Sequence, residues 1–183
     1  MNILKNPVIA VFLCLLIVFT STVVSINVKL VNKCEEITES FYVSKNSAKS
    51  SIYGDIVNMY ELAEEITVVA NNYGVDTRKL SSNISALKSE LNFNNPEIEN
   101  IYEAYSAFYD ELWSVELKLS EIQLSQRHIE YMNTASKQVY SLKLSIDNAD
   151  YNNSVRTFYK RFDRFPVTLF ADIFDIDYPQ YFA

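Results

Sequence analysis

The side chains best suited to chemistry are few in this sequence, and their spacing withholds most reactions. His128, Cys14 and Cys34 are its only His and Cys residues. A zinc site needs several such ligands, and a nucleophile–His catalytic pair needs a His beside its nucleophile. His128 has no second His and no nearby Cys, so it reads as a surface residue. A carboxylate metal site in a helical bundle uses a Glu-x-x-His step, but Ser125 stands three residues before His128. Glu61, Glu64 and Glu65 read as a solvated helix face. Arg156, Lys160, Arg161 and Arg164 form a compact group of cations ahead of Pro166. Cations there complement the C-terminal end of a helix dipole. The other use of such a group is a patch for anionic lipid headgroups or an acidic partner. Asn83-Ile84-Ser85 and Asn152-Asn153-Ser154 match a glycosylation pattern that chance supplies often. These residues assign no catalytic, cofactor-binding or metal site, and the expectation is a protein that is not an enzyme and needs no cofactor.

Composition points the same way. The 183 residues carry a formal net charge of −7, which disfavours nonspecific nucleic-acid binding. Two Gly and four Pro are too few for a turn-rich all-β fold or for Gly-rich nucleotide-binding turns. An apolar fraction of 49%, with 13 Tyr and 11 Phe, excludes a wholly disordered chain.

Much of that apolar content lies at the N-terminus. No charged residue occurs from Asn6 to Val28. About 20 apolar residues in a helix cross a bilayer, so residues 7–28 are long enough. Pro7 suits a first helical turn. The run exceeds the ~7–15 apolar residues of a secretory signal, which favours a retained anchor. The alternative is cleavage near Val23-Val24-Ser25. Cys14 reads as a membrane residue, and Cys34 as either a free thiol or an intermolecular disulfide. Lys29, Lys33 and Lys45 follow the span and only Lys5 precedes it, which leans toward a cytoplasmic main domain.

The elements beyond the span read as helices. Ile52, Ile56, Met59, Ala63, Ile66, Ala70 and Tyr73 step by four and three, the seam of a helix packed lengthwise on another. Gly74 suits a helix C-terminus, and Asp76 or Thr77 the next N-cap. A second seam runs through Leu80, Ile84, Leu87 and Leu91. It resumes after Asn95 and Pro96 at Ile98, Ile101, Tyr105, Phe108, Leu112, Val115, Leu119 and Ile122. One heptad separates Leu91 from Ile98, so the expectation is a kink or short break within one buried face. Trp113 reads as a packing residue beside the seam. A reversal is expected within 123–132. Val139, Leu142, Ile146 and Ala149 restore the pattern, and Tyr151, Val155, Phe158, Phe162 and Phe165 form a sharp heptad closed by Pro166. The aromatic tail after Pro166 is expected to pack back.

That last stretch resembles the LemA family. Tyr151-Asn152-Asn153-Ser154-Val155, then Phe158, then Phe165-Pro166, match that family's Tyr-Asn-x-x-Val, aromatic and Phe-Pro positions without a gap. Leu169, Ala171, Phe174 and Tyr181-Phe182 fit its usual ending. Asp55-Ile56 and Asn58 resemble its Asp-Leu-Ile-x-Asn stretch. Ile52-Tyr53 stand where the family has Arg-Arg, Asn148-Ala149 where it has Ala-Arg, and Tyr159 where it has a second Asn. The resemblance spans roughly 139–182. It implies a membrane-anchored helical bundle without known catalytic residues, among whose relatives some organise membranes. Asn152 falls just off the seam, where its amide can reach a neighbouring helix or the returning tail.

The expected architecture is all-α, with an N-terminal transmembrane helix followed by an elongated antiparallel three- to four-helix bundle. Its divisions are a tail (1–6), the span (7–28), a juxtamembrane helical linker (29–50) and a LemA-like bundle with its returning tail (51–183). The expected role is protein or membrane interaction from the cell membrane. Lipid contacts the N-terminal helix, and unidentified partners or self-association engage the rest. An exported binding module is the alternative.

Overall fold

The computed structural model describes residues 7–44, 50–93 and 97–183. Among these, the chain forms helices α1 (Pro7–Tyr42), α2 (Ile52–Asn72), α3 (Arg78–Leu91), α4 (Ile98–Ser120), α5 (Gln126–Asp147), α6 (Tyr151–Phe162) and α7 (Val167–Phe174), and no strand. They fall into two compact units. One is Glu39–Asn153 with Gln180–Ala183, the other Met1–Thr38 with Ser154–Pro179.

The first unit is a four-helix bundle of α2 to α5. Ser51 caps α2, its hydroxyl oxygen accepting the Gly54 N–H at 3.0 Å. The helix ends as its sequence predicts. Gly74 takes φ +74°, its N–H donates to Asn71 O at 3.1 Å, and the Val75 N–H donates to Ala70 O at 3.0 Å. Those paired bonds close a helix on a left-handed residue, which Gly adopts without a Cβ clash. Of the two cap candidates for α3, Asp76 supplies the side-chain acceptor, its Oδ1 taking the Arg78 N–H at 3.0 Å. Thr77 turns away and donates to Asn71 Oδ1 at 2.8 Å.

The seam from Leu80 to Ile122 is not one kinked rod. Lys79 Nζ lies 2.7 Å from Glu111 Oε2, and Asn83 Nδ2 donates to Ala107 O at 2.8 Å. Four residues up α3 match four residues down α4, so the two form an antiparallel hairpin. A one-heptad step across a break fits a continuing helix and a pair of facing arms equally well. Asn95 and Pro96 lie outside the described residues.

The next reversal occupies 121–125, starting ahead of the expected window. Neither Gly nor Pro marks it. Ser125 does, capping α5 by accepting the His128 N–H. Across that turn the Ser136 hydroxyl donates to Glu116 at 2.8 Å. On the far side of the bundle, the Tyr131 hydroxyl donates to Glu65 at 2.8 Å and ties α5 to α2. The alternation of directions is up, down, up, down. Ile56, Met59, Ala63, Ile66, Leu80, Leu87, Ile101, Phe108, Leu112 and Val115 are fully enclosed in the core. Trp113 does not pack. It is 61% exposed, because one residue beyond the buried Leu112 turns the helix by about 100°.

The second unit comprises the first part of α1, most of α6, and α7. Leu30, Cys34 and Ile37 of α1 are buried, as are Val155 and Phe158 of α6 and Ala171 of α7. The Tyr178 ring lies 5.0 Å from Phe158 and 5.7 Å from Tyr159. Two expectations fail here. α6 stops at Phe162, so Phe165 leaves the heptad face and is 82% exposed, and Phe162 is only half-buried. Pro166 does not close α6 but stands at the cap position of α7, where its missing N–H costs nothing.

Candidate functional site

α1 is the feature that most limits what the protein does. It runs unbroken for 36 residues, and its apolar window has a mean hydropathy of 2.7 with none of its residues buried. Val8, Val11, Phe12, Leu15, Ile17, Val18 and Phe19 are all exposed. Among the described residues it is the one helix long and apolar enough to cross a membrane. Thr20, Ser21 and Thr22 donate their hydroxyls to carbonyls one turn back, at 2.8–3.0 Å. Their polar atoms are thereby satisfied within the helix, as a lipid environment requires.

The same helix changes character without a break. Leu30, Cys34, Ile37 and Phe41 step by four, three and four, and all are buried. The linker region thus carries a seam of its own. Its signal is present in the sequence but interrupted by Lys33, Glu35 and Glu36, which occupy the outer face. The Cys34 thiol is pushed up to about 11, chiefly by burial and secondarily by Glu35 and Asp177. A buried, protonated thiol is a weak nucleophile.

Around Phe41 lies a docking site for the C-terminal residues. Phe41 packs on Tyr151 at 5.6 Å and on Phe182 at 5.4 Å, and Phe182 also meets Tyr102 at 5.1 Å and Tyr105 at 5.6 Å. Asn152 holds Phe182 through both polar atoms of its backbone. The Phe182 N–H donates to Asn152 Oδ1 at 2.9 Å, and Asn152 Nδ2 donates to Phe182 O at 2.8 Å. The Tyr151 hydroxyl donates to Gln180 O at 2.7 Å, and the Gln180 side chain accepts the Glu99 N–H at the start of α4. A side-chain amide is the residue type that can both donate to and accept from one backbone residue. Tyr151, Asn152, Val155 and Phe158 therefore act in packing and tail docking.

The cations belong to the other unit. Lys160 and Arg161 occupy the last turn of α6, where they complement its dipole. Arg156 and Arg164 are exposed as well, and the Arg161 guanidinium lies 5.4 Å from the Phe162 ring centroid. Elsewhere, His128 Nδ1 lies 2.8 Å from the Tyr73 hydroxyl, which in turn accepts the Ser125 N–H at 2.9 Å. His128 thus helps to fix the α4–α5 turn. Glu61, Glu64 and Glu65 are exposed. Among the described residues no group of three or more His, Cys, Asp or Glu is placed to hold a metal ion.

Two buried carboxylates are not predicted from the sequence. Asp55, in the first turn of α2, is buried and accepts the Ser50 hydroxyl. Glu111 is buried against Lys79. Charge alone places both on the surface, and only their positions on the seam side of each helix hint otherwise. Among the described residues, shallow grooves occur on the bundle. One, of about 390 Å³, lies between α2 and α5 beside Glu61, Glu65 and Gln138. Another, of about 340 Å³, lies at the α4–α5 turn beside Glu116 and Ser136. No family model, no curated protein and no solved structure matches this chain.

Proposed function

We propose that this is a single-pass, membrane-anchored helical bundle that acts through protein or membrane contacts and not as an enzyme. The observation that carries the reading is α1, whose uncovered apolar run passes directly into a buried seam. Water-exposed apolar surface of that extent is costly, and a bilayer is the solvent that removes the cost. The motif Tyr151-Asn152 to Phe165-Pro166 supports placing the chain as a divergent member of the LemA family, a placement that adds a membrane-organising role by analogy. Partners are membrane lipid and unidentified membrane proteins, with self-association as one form of partnership. The Lys29 and Lys33 flank favours a cytoplasmic bundle.

Alkaline extraction of membranes from cells making the full chain tests the anchor. The expected result is retention in the pellet, and release into the supernatant refutes it. Protease protection of a C-terminal tag then reports orientation. Crosslinking in intact cells is expected to recover a membrane partner or a self-oligomer.

One observation favours a second reading, an exported module with a cleaved signal. The buried seam begins at Leu30, beyond Val23-Val24-Ser25, so cleavage there leaves the seam intact. N-terminal sequencing of the mature protein separates the two. A start near Ile26 selects the exported form, and an intact Met1 or Asn2 selects the anchor.

A further inference from the structure

We propose that the cavity at the α4–α5 turn binds a small organic ammonium, its charge on Glu116 and its apolar body against Leu119, Ile122, Leu124 and Met132. The proposal is independent of the anchor reading, because every residue it uses lies within the first unit. α2 packs closely on α5 and α3 on α4, whereas α4 and α5 meet less closely. Side chains bridge that looser face at separate levels. The Ser136 hydroxyl donates to Glu116 at 2.8 Å, and seven residues away on each helix the Lys143 ammonium lies 5.4 Å from the Tyr109 ring centroid. On the turn side of the Glu116–Ser136 bridge the helices leave the cavity of about 340 Å³. Small-molecule sites are clefts of about 300–1,000 Å³ with mostly apolar walls and a few placed polar groups. Leu119 and Met132 are buried in the wall, and Ile122 and Leu124 close it from the turn.

Charge selects the occupant. α4 withdraws both Glu111 and Glu116 from water, and they are treated differently. Glu111 has Lys79 Nζ at 2.7 Å. Glu116 is half-buried, and among the described residues its partner is the uncharged Ser136 hydroxyl, on Oε1. Burial and that hydroxyl set its ionisation, with no lysine or arginine entering. A carboxylate taken out of water without a cation costs free energy, and a ligand that brings the cation removes the cost. An ammonium brings three donors to a carboxylate that still has acceptor sites. A metal ion fits less well, because no group of three or more His, Cys, Asp or Glu is placed to hold one among the described residues. The apolar walls ask instead for hydrocarbon attached to the charge.

The test titrates the full chain, in dodecyl maltoside, with cyclohexylammonium chloride and with cyclohexanol, its uncharged counterpart. Trp113 is the reporter. It is the sequence's single Trp and stands one turn before Glu116, on the helix face that also carries Tyr109. Calorimetry of the same titrations measures binding without relying on emission. The expected result is saturable binding of the amine, with cyclohexanol roughly tenfold weaker, as for the loss of one hydrogen bond to a charged group. Glu116→Gln keeps the shape and removes the charge, so its preference for the amine should vanish while thermal melting shows that it folds. Leu124→Ser should weaken both ligands together. Equal binding of amine and alcohol by the parent, or an amine preference that survives Glu116→Gln, overturns the role of Glu116. Unchanged affinity in Leu124→Ser overturns the placing of the apolar body. A response that rises linearly without saturating is partition into micelles, and it overturns the site.

Discussion

Asn152 is the residue with the most distinct task, because one amide satisfies both backbone polar atoms of Phe182. Asn152→Ala should cost about 1–3 kcal/mol, the penalty for stranding part-buried backbone groups. Asn152→Asp should not rescue it, since a carboxylate keeps the acceptor for the N–H but faces the Phe182 carbonyl with no donor. Chemical denaturation of the two variants checks this. Tyr105 is the reverse case. Its hydroxyl is buried with no hydrogen-bond partner among the described residues, and burial, with Asp147 next, pushes its ionisation well above the usual tyrosine range. Tyr105→Phe should leave the melting temperature unchanged or raise it, by up to about 2–4 °C for each kcal/mol recovered. Glu116 carries a pH signature. Burial raises its carboxyl above the ordinary value, with the Ser136 hydroxyl partly offsetting this. A group whose folded pKa is raised favours its protonated form on folding, so the ionised side chain costs stability at neutral pH. That cost fades as pH falls through the folded pKa. Glu116→Gln should therefore be more stable than the parent at pH 7, and lose the advantage below about pH 4, where both states are protonated. Thermal melts across that range measure it.

At the scale of elements, α6 and α7 separate packing from exposure within a few residues. Phe158→Ala should destabilise by ~3–5 kcal/mol, as for a fully buried Phe, whereas Phe165→Ala should stay within about 0.5 kcal/mol of the parent. Equilibrium unfolding of both variants tests the boundary at Phe162. Much of the fold is legible in the residues alone. Seams of period 3.5 report a buried face directly, which is why α2, α3 and α4 stand where Ile56, Leu87 and Leu112 put them. Gly74 is legible because a left-handed φ has a residue-type signature. What spacing does not carry is direction. The Leu91-to-Ile98 step is identical for a rod and a hairpin, and only the Lys79–Glu111 and Asn83–Ala107 contacts choose. The seam of α1 is hidden for a related reason, since the strong apolar run upstream overwhelms the weaker alternation after it. Phe165 falls on the heptad by count, but beyond the point where α6 ends. The tail clamp is only half legible. The amide is visible, but its partner lies 30 residues away at Phe182, and pairing at that distance has no local pattern.

For the whole molecule, the described residues combine enclosed helical seams with one long, uncovered apolar helix. Phe41, Tyr105 and Phe182 form an enclosed aromatic cluster, whereas Phe12 and Phe19 of α1 and Phe174 of α7 are exposed. α1 carries both kinds of surface on one unbroken helix, and this has a mechanical result. A continuous helix transmits torque, so the span and the seam of Leu30, Cys34 and Ile37 share one rotational phase. Adding a single residue between Val28 and Leu30 would turn one against the other by about 100°, while adding seven would bring them back to within ~20°. If α1 crosses a bilayer as proposed, the flank that meets a neighbour there would set the direction in which the seam faces. Under the proposed anchoring the helix works as a key shaft: turning it inside the bilayer would turn the seam outside.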